Sequence, residues 1–147
     1  MTDPVEGGAR PRVVFDTNVL ASAAILPFSV SGQALARAVE MAQLCLSTLL
    51  LEEIVDVLHR PRISRYFEGG TLHDFLMMLA RVSEMVEPEE TIRACRDASD
   101  DKLLELAVAA GAHFLVSGDS DLQVLNPFRG IEIVSPREWL ERHAEPR

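Results

Sequence analysis

Arg12-Val13-Val14-Phe15-Asp16-Thr17-Asn18-Val19-Leu20 is the stretch that decides the fold. Val13, Val14 and Phe15 make a short apolar run that breaks abruptly at Asp16, the pattern of a strand buried on both faces of a parallel sheet. In such a sheet the C-terminal ends of the strands line a crevice where ligands bind. Asp16 is therefore expected at the floor of that crevice, with Thr17 and Asn18 turning the chain into a helix. Asp is also among the best helix N-caps, and on this stretch alone capping explains Asp16 equally well. The balance shifts because carboxylates recur at strand ends and helix starts further along the chain.

Downstream, Pro27 closes the first helix, and Leu35, Ala38, Val39 and Ala42 recur at helical spacing between Gln33 and Gln43. Leu44-Cys45-Leu46 reads as a second strand. Thr48 reads as the N-cap of a helix that runs to about Arg60 and is stopped by Pro61. Glu52 and Glu53 fall in its first two turns; favourable interaction with the helix dipole, worth about 0.3–1 kcal/mol, accounts for one of them without requiring both. Thr71 is expected to cap a helix carrying Leu72, Phe75, Leu76, Leu79, Val82 and Met85, with Met77 and Met78 as core filler. Val86-Glu87-Pro88 suits a short edge strand, where proline is tolerated.

Asp97-Ala98-Ser99-Asp100-Asp101 then places three aspartates in five positions at the mouth of a helix closed by Gly111. One aspartate would cap it. Three repel one another unless a cation or protons intervene. The strand His113–Val116 again ends in carboxylates, Ser117-Gly118-Asp119-Ser120-Asp121. Ile131–Val134 is the last strand, and Pro136 opens a final helix bearing Trp139 and Leu140. This alternation implies an α/β fold, three layers α/β/α around a mostly parallel central sheet. Residues 12–143 form its one domain, and the Pro- and Gly-containing residues 1–11 read as a disordered tail.

The whole chain narrows the function further. At 147 residues, 48% hydrophobic and 25% charged, it is a globular domain of ordinary size that needs no disulfide staple. No apolar segment is long enough to cross a bilayer and the N-terminus lacks the pattern of a signal peptide, so a cytoplasmic protein without a membrane partner is expected. Cys45 and Cys95 form no C-x-x-C pair and read as buried free thiols. His59, His73, His113 and His143 show no ligand spacing. There is no Walker A loop, no G-x-G-x-x-G and no Ser-His-Asp order.

A net charge of −9 argues against nucleic-acid binding through a broad basic surface. It argues less against a metal-dependent nuclease, whose clustered carboxylates are offset by bound cations. The dense basic run is His59–Phe67, in which Arg60, Arg62 and Arg65 are candidate RNA-backbone contacts; a solvated inter-helix loop is an equally good reading. Asp16, Glu53, Asp97, Asp100, Asp101, Asp119 and Asp121 are all expected near one crevice. Oxygen donors without histidine or thiolate suit Mg²⁺ or Mn²⁺ rather than zinc. Such a cage, with one or two ions, serves phosphodiester hydrolysis best.

These residues resemble the PIN-domain superfamily, and within it the bacterial group related to VapC-type toxins of toxin–antitoxin pairs. The resemblance spans about residues 12–140 and is carried by V-V-F-D-T-N-V-L (13–20), L-S-T-L-L-L-E-E-I-V-D-V-L (46–58), D-A-S-D-D-K-L-L-E-L-A (97–107) and L-V-S-G-D-S-D-L (115–122). Each motif is weak alone; four in the right order are not.

The resemblance implies a Mg²⁺- or Mn²⁺-dependent ribonuclease, usually a homodimer, whose partners are an RNA substrate and a cognate antitoxin. Asp16 matches the first family acid and Glu53 the second. Asp100 fits the third, with Asp101 a close rival and Asp97 belonging to the subgroup's pattern. Asp119 matches the fourth, with Asp121 beside it as a second candidate. Asp16, Asp100, Asp101, Asp119 and Asp121 are thus the candidate metal ligands. Ser117 stands where many members carry threonine, and Asn18 would orient Asp16 or a water. Two other readings compete. One is a non-catalytic PIN-like scaffold that binds RNA or protein. The other, a haloacid dehalogenase-like phosphatase, needs a second acid where Asn18 stands.

Overall fold

The computed structural model describes residues 10–143. Strands β1 (Arg12–Phe15), β2 (Gln43–Leu46), β3 (Glu84–Met85), β4 (Phe114–Val116) and β5 (Glu132–Val134) form one sheet of order β3-β2-β1-β4-β5. Every neighbouring pair is parallel. Val13 pairs with Leu44 on one side and with Phe114 on the other, and Phe15 pairs with Val116. Consecutive strand residues point to opposite faces, yet Val13, Val14 and Phe15 are all fully buried. Helices therefore cover both faces of the sheet, and an α/β architecture with a parallel centre results.

The helices are α1 (Thr17–Ile25), α2 (Val30–Met41), α3 (Thr48–Leu58), α4 (Pro61–Ser64), α5 (Thr71–Val82), α6 (Asp101–Ala109), α7 (Ser120–Gln123) and α8 (Pro136–Arg142). α6 packs on β1 and β4, while α1 packs on α2 and α3, and α2 on α8. Gly32, in the first turn of α2, is needed for close approach: a Cβ there would lie 2.1 Å from the Pro27 carbonyl oxygen. α8 carries a full capping box between Ser135 and Glu138. It seats Trp139 in the core, where the indole N–H donates to the Ala34 carbonyl at 3.1 Å. The same ring meets Phe15 and Phe114 edge-on at 6.4 and 5.3 Å. Arg12 reaches across β2 and pairs bidentately with Glu84 at 3.0 and 3.1 Å.

Several local expectations are corrected. α3 is capped by Ser47, whose hydroxyl accepts from Leu50 N, while the Thr48 hydroxyl donates to Glu87 at 2.7 Å. α2 starts at Val30, earlier than its apolar spacing suggests, because Ser29 accepts from Gly32 N and caps it. Pro61 ends α3 but opens α4, since proline is favoured at a first helical position. Thr71 is the first residue of α5 and bonds back to Glu68 instead of capping. The edge strand is Glu84–Met85, just before the Val86-Glu87-Pro88 segment, so Met85 pairs with Leu46 in the sheet and does not extend α5, which ends at Val82. Met77 is exposed on α5, whereas Met78 packs against the core. Cys45 is a buried free thiol; Cys95 is free but only partly buried.

Of the expected N-terminal tail, residues 1–9 lie outside the described residues; the Pro11 carbonyl accepts from Gln43 N at 2.8 Å. Among the described residues no single helix is long and apolar enough to cross a membrane.

Candidate active site

β1 leads through α1 and α2 to β2 on one side, whereas β4 leads to β5 on the other. The gap between the C-terminal ends of β1 and β4 is thus a topological switch point, where parallel sheets bind ligands. Asp16 follows β1, and Ser117 to Asp119 follow β4. Asp16 N donates to the Val116 carbonyl at 2.9 Å, so the first acid is tied to the strand beside it.

Asp16 both caps α1 and faces the gap. Its Oδ1 accepts from Asn18 N at 3.3 Å, and its Oδ2 accepts the Ser117 hydroxyl at 2.7 Å. The Ser117 oxygen in turn accepts from Asp119 N at 3.0 Å. Asp16 is only 8% exposed. Burial pushes its carboxyl above the usual range; the bonds from Ser117 and Asn18 oppose this, and the nearby charges of Asp119 and Glu53 add to it.

A cavity of about 350 Å³ opens in front of Asp16 and Asp119. Glu53 of α3 enters it with both oxygens engaged: Oε1 accepts from the Thr17 hydroxyl at 2.8 Å and Oε2 from Lys102 Nζ at 2.9 Å. Its neighbour Glu52 is exposed to solvent instead. Asp97 and Asp100 also line it, Asp100 from the 3₁₀ turn Ala98–Asp100 and Asp97 as the residue that caps that turn. Asp97 accepts from the Ser99 amide and hydroxyl at 3.0 and 2.8 Å, which holds it below the ordinary carboxylate range. Asp100 behaves oppositely: burial, then the charge of Asp119 and a hydrogen bond with it, push its carboxyl up to about 6. Asp16, Asn18 and Asp119 also border a second cleft of about 380 Å³, whose far side carries Ser22 and Ser31.

The other candidates are placed elsewhere. Asp101 turns away from this cavity, its Oδ1 accepting from Ala94 N and Cys95 N at 3.0 and 2.7 Å. Burial, then Asp101, drives the Cys95 thiol up to about 12. Asp121 donates its amide to Asp119 and stands 3.9 Å from Arg96, outside the cavity wall. Arg60 lines the cavity; Arg62 and Arg65 do not, and Arg65 lies over the Tyr66 ring at 5.6 Å.

Two participants, Thr17 and Lys102, are not among the site residues expected from the sequence. Lys102 is the single lysine of the chain and directly follows Asp100-Asp101, a signal that was available. Its contact with a glutamate 49 residues earlier was not. A larger cavity, about 750 Å³, opens at the opposite end of the sheet near Pro11, His113 and Ile131. Glu132 is the one carboxylate in its lining, so size does not locate the chemistry here.

Among the described residues no three Asp, Glu, His or Cys side chains stand close enough to grip an ion as they are. The donor chemistry nevertheless fits a hard divalent cation. Asp16, Asp100 and Asp119 offer oxygen alone, and the negative charge of Asp119 beside Asp100, which helps to raise the Asp100 carboxyl, marks a place where a cation would offset two like charges.

The family model of the PIN domain matches residues 12–121. The chain is 29% identical over 140 residues to the uncharacterized protein MJ1680 of Methanocaldococcus jannaschii, a match covering 88% of this chain and 90% of that one. Among solved structures, PAE2754 from Pyrobaculum aerophilum is similar with a TM-score of 0.61 at 15% identity, over 91% of this chain and 90% of its own. VapBC2 from Rickettsia felis, crystallised bound to a DNA fragment from their promoter, is similar with a TM-score of 0.55 at 12% identity, over 84% and 98%. At these identities the two structures speak for the fold.

Proposed function

The chain belongs to the PIN-domain family, and on that premise we propose that it is a Mg²⁺- or Mn²⁺-dependent endoribonuclease that hydrolyses RNA phosphodiester bonds, the toxin of a toxin–antitoxin pair. One observation carries this reading. Asp16, Asp100 and Asp119, from three separate segments, converge with Glu53 on one cavity at the switch point of the sheet.

In this reading Asp16, Asp100 and Asp119 hold the ion. A bound Mg²⁺ or Mn²⁺ lowers the pKa of water and offsets charge on a phosphoryl oxygen. Ser117 fixes the rotation of the Asp16 carboxylate by donating to Oδ2, and at the same time fixes the backbone of Asp119. Glu53, pinned by Thr17 and Lys102, presents a carboxylate whose orientation does not depend on the ion. Arg60, which lines the cavity, would meet a backbone phosphate and so compensate locally for an otherwise acidic surface.

The toxin role draws support from the resemblance of the four acidic motifs to VapC-type toxins, and implies a cognate antitoxin as partner. Action in the cytoplasm as a homodimer belongs to the same proposal. The test is cleavage of a mixed pool of structured RNAs with Mg²⁺, with Mn²⁺ and with chelator, for wild type and Asp16→Asn. Metal-dependent cleavage that is lost in a folded Asp16→Asn protein is the expected result. Full activity of that variant would refute the assignment, and wild type that neither cleaves RNA nor binds metal would point to a binding scaffold.

A further inference from the structure

Lys102 is the chain's single lysine, and its ammonium lies inside the acidic cavity. It projects from the first turn of α6 and meets Oε2 of Glu53 at 2.9 Å, with both side chains about one-third exposed. The other Glu53 oxygen is taken by Thr17 at 2.8 Å. Each Glu53 oxygen thus already has a donor, one of them a cation, while Asp16, Asp100 and Asp119 have no cation paired with them at ion-pair distance among the described residues. The other basic residue in the lining, Arg60, is 3.4 Å from Asp56 on the outer side of α3. The cavity therefore has two halves: an open acid trio, and a glutamate with a tethered cation of its own.

We propose that Lys102 is a built-in counter-ion that occupies the place of a second divalent cation, so that the site holds one ion and Glu53 serves as a positioned carboxylate and not as a metal ligand. This inference rests on the metal-site reading above. Charge supports it. The lining holds five carboxylates, Asp16, Glu53, Asp97, Asp100 and Asp119, against Arg60 and Lys102. With every group ionised the cavity carries three net negative charges; one divalent ion brings it to one negative charge, and a second would bring it past neutrality to one positive. Removing Lys102 leaves four, and frees an oxygen of Glu53. Ammonium is a compact point charge, so Lys102 offsets the Glu53 carboxylate where a hard cation would otherwise do so. Lysine also binds phosphate as a point charge, so a direct contact with the RNA backbone is the competing role.

The deciding measurement is titration of metal-free, full-length protein with Mn²⁺, reading free Mn²⁺ by electron paramagnetic resonance. Wild type should bind one ion per chain at saturation. Lys102→Met, which keeps the apolar stem, should bind two; Lys102→Arg, which keeps the charge, should bind one. Adding Glu53→Gln to Lys102→Met should return the number to one. Two ions in wild type would overturn the inference whether or not any variant folds. So would one ion in Lys102→Met, and weaker RNA binding at unchanged Mn²⁺ number would assign Lys102 to the phosphate. No binding to wild type at all would sink the metal-site reading itself, a result distinct from either of these.

Discussion

The Ser117 hydroxyl donates to Asp16 Oδ2 at 2.7 Å across the boundary between β1 and β4, and its oxygen accepts from Asp119 N at 3.0 Å. One fully buried hydroxyl thus joins two acids that are 103 residues apart in the sequence. It also offsets part of the penalty that burial places on the Asp16 charge. Few other side chains could do both, because the position needs a donor and an acceptor on the same small atom.

Ser117→Ala should therefore destabilise the protein by about 1–3 kcal/mol, the range for losing a buried partner of a charged group. It should also weaken Mn²⁺ binding by releasing the Asp16 carboxylate. Urea denaturation in chelator and Mn²⁺ titration measure the two effects separately. Ser117→Thr, which keeps the hydroxyl, should retain Mn²⁺ binding. Unchanged stability and affinity in the alanine variant would show that the bond is incidental.

The basic run divides into one arginine that lines the cavity and two that do not. Arg60→Ala should weaken binding to RNA and reduce the salt slope of the affinity by about 1, as expected for one lost phosphate contact. Arg62→Ala and Arg65→Ala should change the slope less. Filter binding over a salt series reads this directly, and equal slopes for all three variants would remove Arg60 from the site.

Gly32 sits where any Cβ would collide with the Pro27 backbone at 2.1 Å. Backbone cannot swing aside as a side-chain tip can, so Gly32→Ala should cost at least about 1–3 kcal/mol. Chemical denaturation checks it. A neutral outcome would mean that the turn joining α1 to α2 shifts freely.

Glu84 is held below the ordinary glutamate value by its hydrogen bonds with Arg12 and then by the arginine's charge. A lowered folded value means that the contribution is present above the unfolded value, near 4.5, and is lost as pH falls through the folded one. Wild type should melt above Glu84→Gln at neutral pH, by a small margin because Glu84 is exposed. The two melting curves should merge in strong acid. A gap that widened on acidification would contradict the sign.

What the sequence disclosed and what it hid follow a physical division. Val13-Val14-Phe15 could be read because a strand covered on both sides must be apolar throughout. Asp16 could be flagged because it ends such a strand. Asp100 and Asp101 could not be separated, since adjacent residues at a helix start share every local feature. Tertiary contacts part them: one faces Asp119, the other turns back to bond Ala94 and Cys95. Ser47 and Thr48 posed the same difficulty, and the choice went to Ser47 because Glu87, 39 residues later, engages the Thr48 hydroxyl. The Lys102–Glu53 pair belongs to this class too, as no local pattern announces a partner on another helix.

The family signature stops at Asp121, yet β5 and α8 lie beyond it. Those last elements cover the flank of β4 and deliver Trp139 to Phe15, the strand residue next to the first acid. A chain cut at the signature's border would keep all four acids and lose their foundation. It would expose the hydrogen-bonding edge of Phe114–Val116, an invitation to pair with other chains. The recognisable part of this protein and the part that packs as one body have different borders.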